Sequence, residues 1–302
     1  MSFDPGAWDH DPLGEVAENR IYGRGATDMK GPLAAMVHVL LSYARADVDP
    51  PLDLMLAVVS DEEVPGDAGV SALVERGELS AAGCVIGETT SVPGRHSVSV
   101  ADRGSIWLTL QATLEARRLE PEPAMAEIVA ESIAFYAQSM DRADAERLFQ
   151  YPTVNLGRFD GGESVNAVPE SATARLDIRF VAGVSPKPLH ALVREFIDDH
   201  PAVSIVETSS SQGTYERPGS PIVEATAVTA ESVLGASISR RSATGGGDAK
   251  TLRGAGIPTV EFAVGSDTAH AVDEYISIEA LRTNARVFAE LPYRFAELET
   301  EG

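Results

Sequence analysis

The chain has 302 residues, of which 46 are acidic and 24 basic, giving a formal net charge of −22 with 44% apolar side chains. Such a length suggests roughly two domains with ample material for a core, and the apolar share is ordinary for a globular protein. The charge repels nucleic acid and anionic membranes, and no apolar stretch approaches the roughly 20 residues that span a bilayer.

The opening MSFDPGAWDHDP has neither a basic nor an apolar region, so it does not read as a signal peptide. Residues 29–46 (MKGPLAAMVHVLLSYARA) predict an apolar helix, and Leu52 to Val59 (LDLMLAVV) predict a buried strand. A short helix near 67–77 leads to a strand at 83–87 (GCVIG). Helix and strand alternate and the strands are mostly apolar, which argues for an α/β domain on a largely parallel sheet. The pattern then changes. An alternating strand at 104–114 precedes a helix at 124–140, strands near 153–160 and 171–180, a helix at 187–199 and a strand at 202–207. That βαββαβ order is ferredoxin-like. Thr208 to Gly213 (TSSSQG) reads as a polar link, and helix–strand–helix alternation resumes at 221. The expected division is a catalytic domain over 1–95 and 211–302, interrupted by an inserted α+β domain over 96–210.

Cys84 is the only cysteine, which excludes an internal disulfide and suits a reducing cytoplasm; its place in a predicted strand reads as core. Only Lys30, Lys187 and Lys250 are lysines, so arginine carries nearly all the positive charge. With so large a negative excess, the chain reads as a salt-adapted cytoplasmic protein, because salt shortens the reach of self-repulsion.

Chemistry concentrates at strand ends. Glu62 and Glu63 follow the run ending at Val59, and neighbours on an extended chain point to opposite sides, so the two carboxylates have separate roles. Asp28 ends the turn GRGATD, Glu88 follows the strand 83–87, and His270 lies in DTAHAVDE after the strand 258–262. Aspartate, glutamate and histidine together suit a borderline metal such as zinc. Each alone is as ordinary as a helix cap or a solvated loop charge. The GRGATD turn lacks the third glycine and the preceding strand of a dinucleotide site.

The segments GRGATDMKG (Gly23 to Gly31), VVSDEE (Val58 to Glu63), VIGETT (Val85 to Thr90), GGESVNAVP (Gly161 to Pro169) and TAHAVDE (Thr268 to Glu274) occur in that order. In this the chain resembles the M20 family of metallopeptidases and deacylases. The resemblance implies that Asp28 bridges two zinc ions, with cobalt or manganese as replacements. Glu63 and His270 would complete one site, Glu88 would serve the other, and Glu62 would be the general base. It further implies a cis peptide at Asp28–Met29, a lid or dimerisation role for the inserted domain, and substrate contacts from Asn166 and Arg179. Arg179, in LDIRF, offers a planar fork for a carboxylate, or a plain surface ion pair. The glycines of TGGGDAK, Gly246 among them, precede a helix whose amides suit an anion.

Two departures stand out. Relatives in the family carry a Gly-His-x-Asp motif upstream of the segment where this chain starts, so roughly seventy residues of the usual plan are expected to be missing. His10 lies beyond that motif and is a poor substitute. Relatives also place a histidine in the inserted domain where this chain reads LEARRLEPEP (Leu114 to Pro123), with Arg117 and Arg118 instead. The expected function is hydrolysis of an N-acyl amino acid or small peptide with a free carboxylate, by one or two zinc ions in a possible homodimer. The alternative is a truncated or non-catalytic relative that keeps the fold and at most one metal. A start upstream of Met1 reconciles the two.

Overall fold

Backbone pairing sorts the strands of the computed structural model into three sheets; it describes residues 5–62, 67–113, 153–164, 166, 169–180, 182, 185–198, 200, 202–217, 219–243 and 246–301. In chain order the strands are β1 Glu15–Ala17, β2 Arg20–Tyr22, β3 Cys84–Ile86, β4 Ser97–Asp102, β5 Gly104–Thr113 and β6 Thr153–Gly161. They continue with β7 Ser171–Phe180, β8 Val203–Ser211, β9 Thr214–Tyr215, β10 Ser239–Ala243, β11 Thr259–Glu261 and β12 Tyr275–Ser277. Two compact units result. One comprises Met1–Ala101, Tyr215–Ala243 and Gly247–Gly302; the other comprises Asp102–Thr214 with Thr244–Gly246.

The first unit is α/β. Its larger sheet runs β10-β4-β11-β3, with β9 added on β4, and is mixed: β11 is parallel to β3 and antiparallel to β4. Parallel register sets Val260 beside Val85 and Glu261 beside Ile86. A smaller antiparallel sheet, β1-β2-β12, joins residues near 20 to residues near 276. The helices Gly31–Ala46 and Pro221–Leu234 both pack on the helix Ile278–Glu301. Ala225, Ala227 and Ala230 are fully buried, and such small side chains let that helix approach closely. Val98, Val260, Phe262 and Val287, all at 0% exposure, form the centre of this core. Among the described residues no helix is long and apolar enough to cross a membrane.

The second unit is an antiparallel sheet in the order β6-β7-β5-β8. Taken along the chain, its four strands are arranged second, third, first, fourth, which is the ferredoxin-like order. Alternation decides its faces: Ile106, Leu108, Ile178 and Phe180 point to one side and form a core with Val154, Leu176, Val193 and Ile205. Val193 comes from the helix Pro186–Asp198. Gly104 admits Phe180, since a β-carbon there would collide with the ring. The helix expected at 124–140, like Arg117 and Arg118, lies outside the described residues.

Three expectations need correction. Leu52 to Val59 enters no ladder among the described residues. Leu52, Leu54 and Leu56 are half-buried, but Met55 and Val58 stand 63% and 60% exposed. Its apolar composition predicts burial on both faces, and burial needs neighbouring strands that the described residues do not provide. Thr208 to Ser211 is not a link but the end of β8, because β5 offers partners from Leu108 back to Ser105. Ser97–Asp102, assigned from sequence to the inserted domain, pairs with β11 in the larger sheet. Cys84 is half-buried against the cluster of Val70, Leu252 and Ile257, and burial pushes its thiol up to about 11.

Candidate functional site

Asp28 sits in an irregular helical turn of the first unit. Gly25 takes the left-handed conformation (φ 84°) that starts a wide helical turn over Ala26–Lys30. The Asp28–Met29 peptide is cis, as the resemblance implies. The turn is held from below by Glu274, which is fully buried. Its Oε1 accepts from the amides of Thr27 (3.0 Å) and Asp28 (3.1 Å), and its Oε2 from the amide of Gly25 and the guanidinium of Arg24, both at 2.8 Å. Thr27 adds a second anchor: its hydroxyl accepts from Ser266 N at 2.9 Å, and its carbonyl accepts from Thr89 Oγ1 at 2.7 Å. Gly265 makes room for that junction, since a β-carbon on it would collide with Thr27 and stand 2.5 Å from Thr89 Oγ1.

Pairwise contacts link Asp28 to two expected residues, His270 and Glu88, and the charge of a third, Glu62, acts on Glu88. His270 Nε2 lies 2.8 Å from Asp28 Oδ2, on a loop where His270 itself adopts φ 64°. Glu88, two residues beyond β3, shares a hydrogen bond with Asp28. Burial first, then that hydrogen bond and the charges of Asp28, Glu261 and Glu62, push the Glu88 carboxyl up to about 10. A β-carbon built on Gly247 would stand 3.6 Å from Glu62 Oε1 and 3.7 Å from Glu261 Oε1, so these two acids flank one backbone position. Glu63 lies outside the described residues.

Glu261 is the residue that motif reading passes over. It occupies the last position of β11, is only 6% exposed, and pairs with Ile86 on one side and Ser99 on the other. A buried acid in so short a strand is itself a signal, because buried carboxylates are rare without a partner. Glu274 was visible within TAHAVDE, but its partners are 246 to 250 residues away. His10 is engaged elsewhere: its ring stacks on Tyr22 with centroids 3.6 Å apart, and its Nδ1 lies 3.1 Å from Glu15.

Asn166, Arg179 and Gly246 fall in the second unit. Asn166 is exposed and its Oδ1 accepts from Ser164 at 3.0 Å. Arg179 Nε donates to both oxygens of Asp177, at 2.8 and 3.0 Å. Gly246 is exposed, just ahead of the helix Asp248–Gly254. The stretch Leu114 to Pro123 lies outside the described residues.

The donor chemistry fits a divalent cation. Asp28 pairs with one imidazole, His270, and with one acid, Glu88, whose carboxyl also feels the charges of Glu261 and Glu62; oxygen and imidazole donors of this kind suit a borderline divalent cation. The described residues supply pairs rather than a cage: no three of their histidines, cysteines, aspartates and glutamates stand together as a metal-holding group.

Comparison with known proteins agrees. Residues 4–294 match the description of peptidase family M20/M25/M40. A succinyl-diaminopimelate desuccinylase of Rhodospirillum centenum is 29% identical over 291 residues, covering 92% of this chain and 74% of the relative. An M20 family metallo-carboxypeptidase of Sulfolobus solfataricus has the same fold, with a TM-score of 0.75 at 20% identity over 98% of this chain and 83% of that one. A Bacillus subtilis dinuclear metal binding peptidase of the family has a TM-score of 0.56 at 18% identity, over 89% of this chain and 72% of its own. The chain therefore belongs to peptidase family M20/M25/M40, as a metal-dependent hydrolase of amide bonds.

Proposed function

We propose that this chain is a zinc-dependent deacylase that cleaves the amide of an N-acyl amino acid with a free carboxylate, with N-succinyl amino acids as the favoured class. The observation that carries the reading is the pairing of Asp28 with both His270 and Glu88, residues from three separate segments, at one turn of the first unit. The resemblance to a succinyl-diaminopimelate desuccinylase supports the acyl group. In this reading Asp28, Glu63 and His270 hold one ion, and Asp28 with Glu88 serves a second. When bound, zinc supplies Lewis acidity toward the amide carbonyl and acidifies water. Glu62 takes the proton of the attacking water as the C–O bond forms, and then delivers it to the nitrogen, which departs as the amine when the C–N bond breaks. Arg179 and Asn166 orient the substrate carboxylate, with the amides after Gly246 as a second anion contact. The exposed Trp107 (57%) on the inserted sheet supports a homodimer through that domain, and the net charge supports a salt-adapted cytoplasmic setting.

A second reading, a relative that binds metal without hydrolysis, is favoured by the absence of a three-donor group among the described residues. One experiment separates the two. Zinc content and hydrolysis of N-succinyl and N-acetyl amino acids are measured at high salt for the full chain and for Glu62→Gln. The expected outcome is a rate about 100- to 10,000-fold lower in the variant with zinc uptake retained. A variant as active as the parent removes Glu62 from the chemistry, and a parent that binds zinc without turnover establishes the second reading.

A further inference from the structure

Glu274 stands apart from the other acids of the first unit. Its side chain is fully buried, it touches no other carboxylate in any described contact, and all four of its bonds go to one segment, Arg24 to Asp28. Its own carbonyl also accepts from Gly23 N at 2.9 Å. Three of those four side-chain bonds come from backbone amides that no helix or strand ladder satisfies, and a buried amide without a partner is costly. The carboxylate therefore does for this turn what a capping side chain does for a helix end. Sequence adds a second constraint. Glu274 lies four residues after His270, and His270 Nε2 lies 2.8 Å from Asp28 Oδ2. One short stretch thus contacts Asp28 from two directions, at the carboxylate through His270 and at the amide through Glu274.

We infer that Glu274 is a positioning residue: it fixes the backbone of Asp28 so that the Asp28 carboxylate is set for a divalent cation before the cation arrives. The inference rests on the proposed role of Asp28 as a cation ligand. Outer partners of this kind typically hold about 10- to 100-fold in metal affinity. Arg24 gives a natural contrast, because it shares Glu274 Oε2 with Gly25 yet donates nothing to the Asp28 turn beyond it. Removing Arg24 strips a charge partner from Glu274 and leaves the three amide bonds in place.

The test titrates Zn²⁺ alone into the full, metal-stripped chain and follows thermal unfolding of the same metal-free samples. Three variants are compared with the parent: Glu274→Gln, Glu274→Asp and Arg24→Met. Gln fills the same space and keeps one accepting oxygen but turns its NH2 toward donors it cannot accept from, and Asp keeps the charge while drawing back from the turn. The expected result is zinc binding weakened about 10- to 100-fold in Glu274→Gln, weakened in Glu274→Asp, and unchanged in Arg24→Met although its unfolding temperature falls. At saturating zinc, KM of Glu274→Gln stays at the parent value while kcat falls. Zinc affinity that follows unfolding temperature across all three variants would make Glu274 merely structural and overturn the inference, as would parental affinity in both Glu274 variants. If Glu274→Gln does not fold, Glu274→Asp against Arg24→Met decides the same question. A parent that takes up no zinc, or an Asp28→Asn variant that binds it as the parent does, overturns the ligand reading of Asp28 and this inference with it.

Discussion

Asp28 and Glu62 both act on Glu88, from segments that differ in how they are held. The Asp28 turn is bonded on every side: Glu274 holds three of its amides, Thr27 ties it to Ser266 and Thr89, and Gly265 leaves just enough room for that knot. Glu62 follows a run that enters no ladder among the described residues, where Met55 and Val58 are more exposed than buried and Ser60 and Asp61 are bonded to Ala68. A residue that sets a cation's position gains from a rigid support, since misplacing a ligand weakens every bond around it. In the proposed reading Glu62 is a proton carrier, which serves two atoms in turn, the water and the leaving nitrogen.

The contrast can be broken from either end. The largest stability effect is expected at Gly265→Ala, whose new methyl has no space between Thr27 and Thr89. Overpacking of this kind costs about 3 kcal/mol, or roughly 6–12 °C in unfolding temperature. Calorimetry showing no loss would mean that the knot under Asp28 is slack. An intermediate effect is expected from pH in the metal-free chain. Glu88 binds its proton far more tightly in the folded chain than at its ordinary value of 4.5, with burial as the main cause and Asp28 next. Its contribution to stability is complete below about pH 4.5 and is lost as pH rises through about 10. Unfolding temperature should therefore fall between these limits, and added zinc should flatten the slope. A metal-free chain that gains stability over that range would show that the acids are not crowded in solution. The smallest effect is expected at Met55→Ser, within about 0.5 kcal/mol, because the side chain is already 63% exposed. A loss several times larger would show that the run from Leu52 is buried in solution, and the contrast with Asp28 would disappear.

The outline of both domains was legible in local patterns. Apolar helices, alternating strands and a βαββαβ order need only side-chain periodicity, so Gly31–Ala46, β5, β6, β7 and the helix Pro186–Asp198 fall where their periods place them. The three-residue strands β1, β2 and β12 are too short to carry a period and became visible only through their pairing. Leu52 to Val59 shows the limit from the other side: composition favours a strand, but a strand exists only where a neighbour completes its hydrogen bonds.

The same division runs through the site. Sequence by itself determined which residues are candidates for chemistry, because acids and a histidine at strand ends, in a motif order typical of one family, already name Asp28, Glu62, Glu88 and His270. Tertiary structure alone decided how they are held. Glu261 became part of the group through its register with Ile86, and Glu274 became the support of Asp28 across 246 residues of chain. Hydrogen bonds between such distant segments depend on how the sheets and helices close around a common core, and no local pattern encodes that closure.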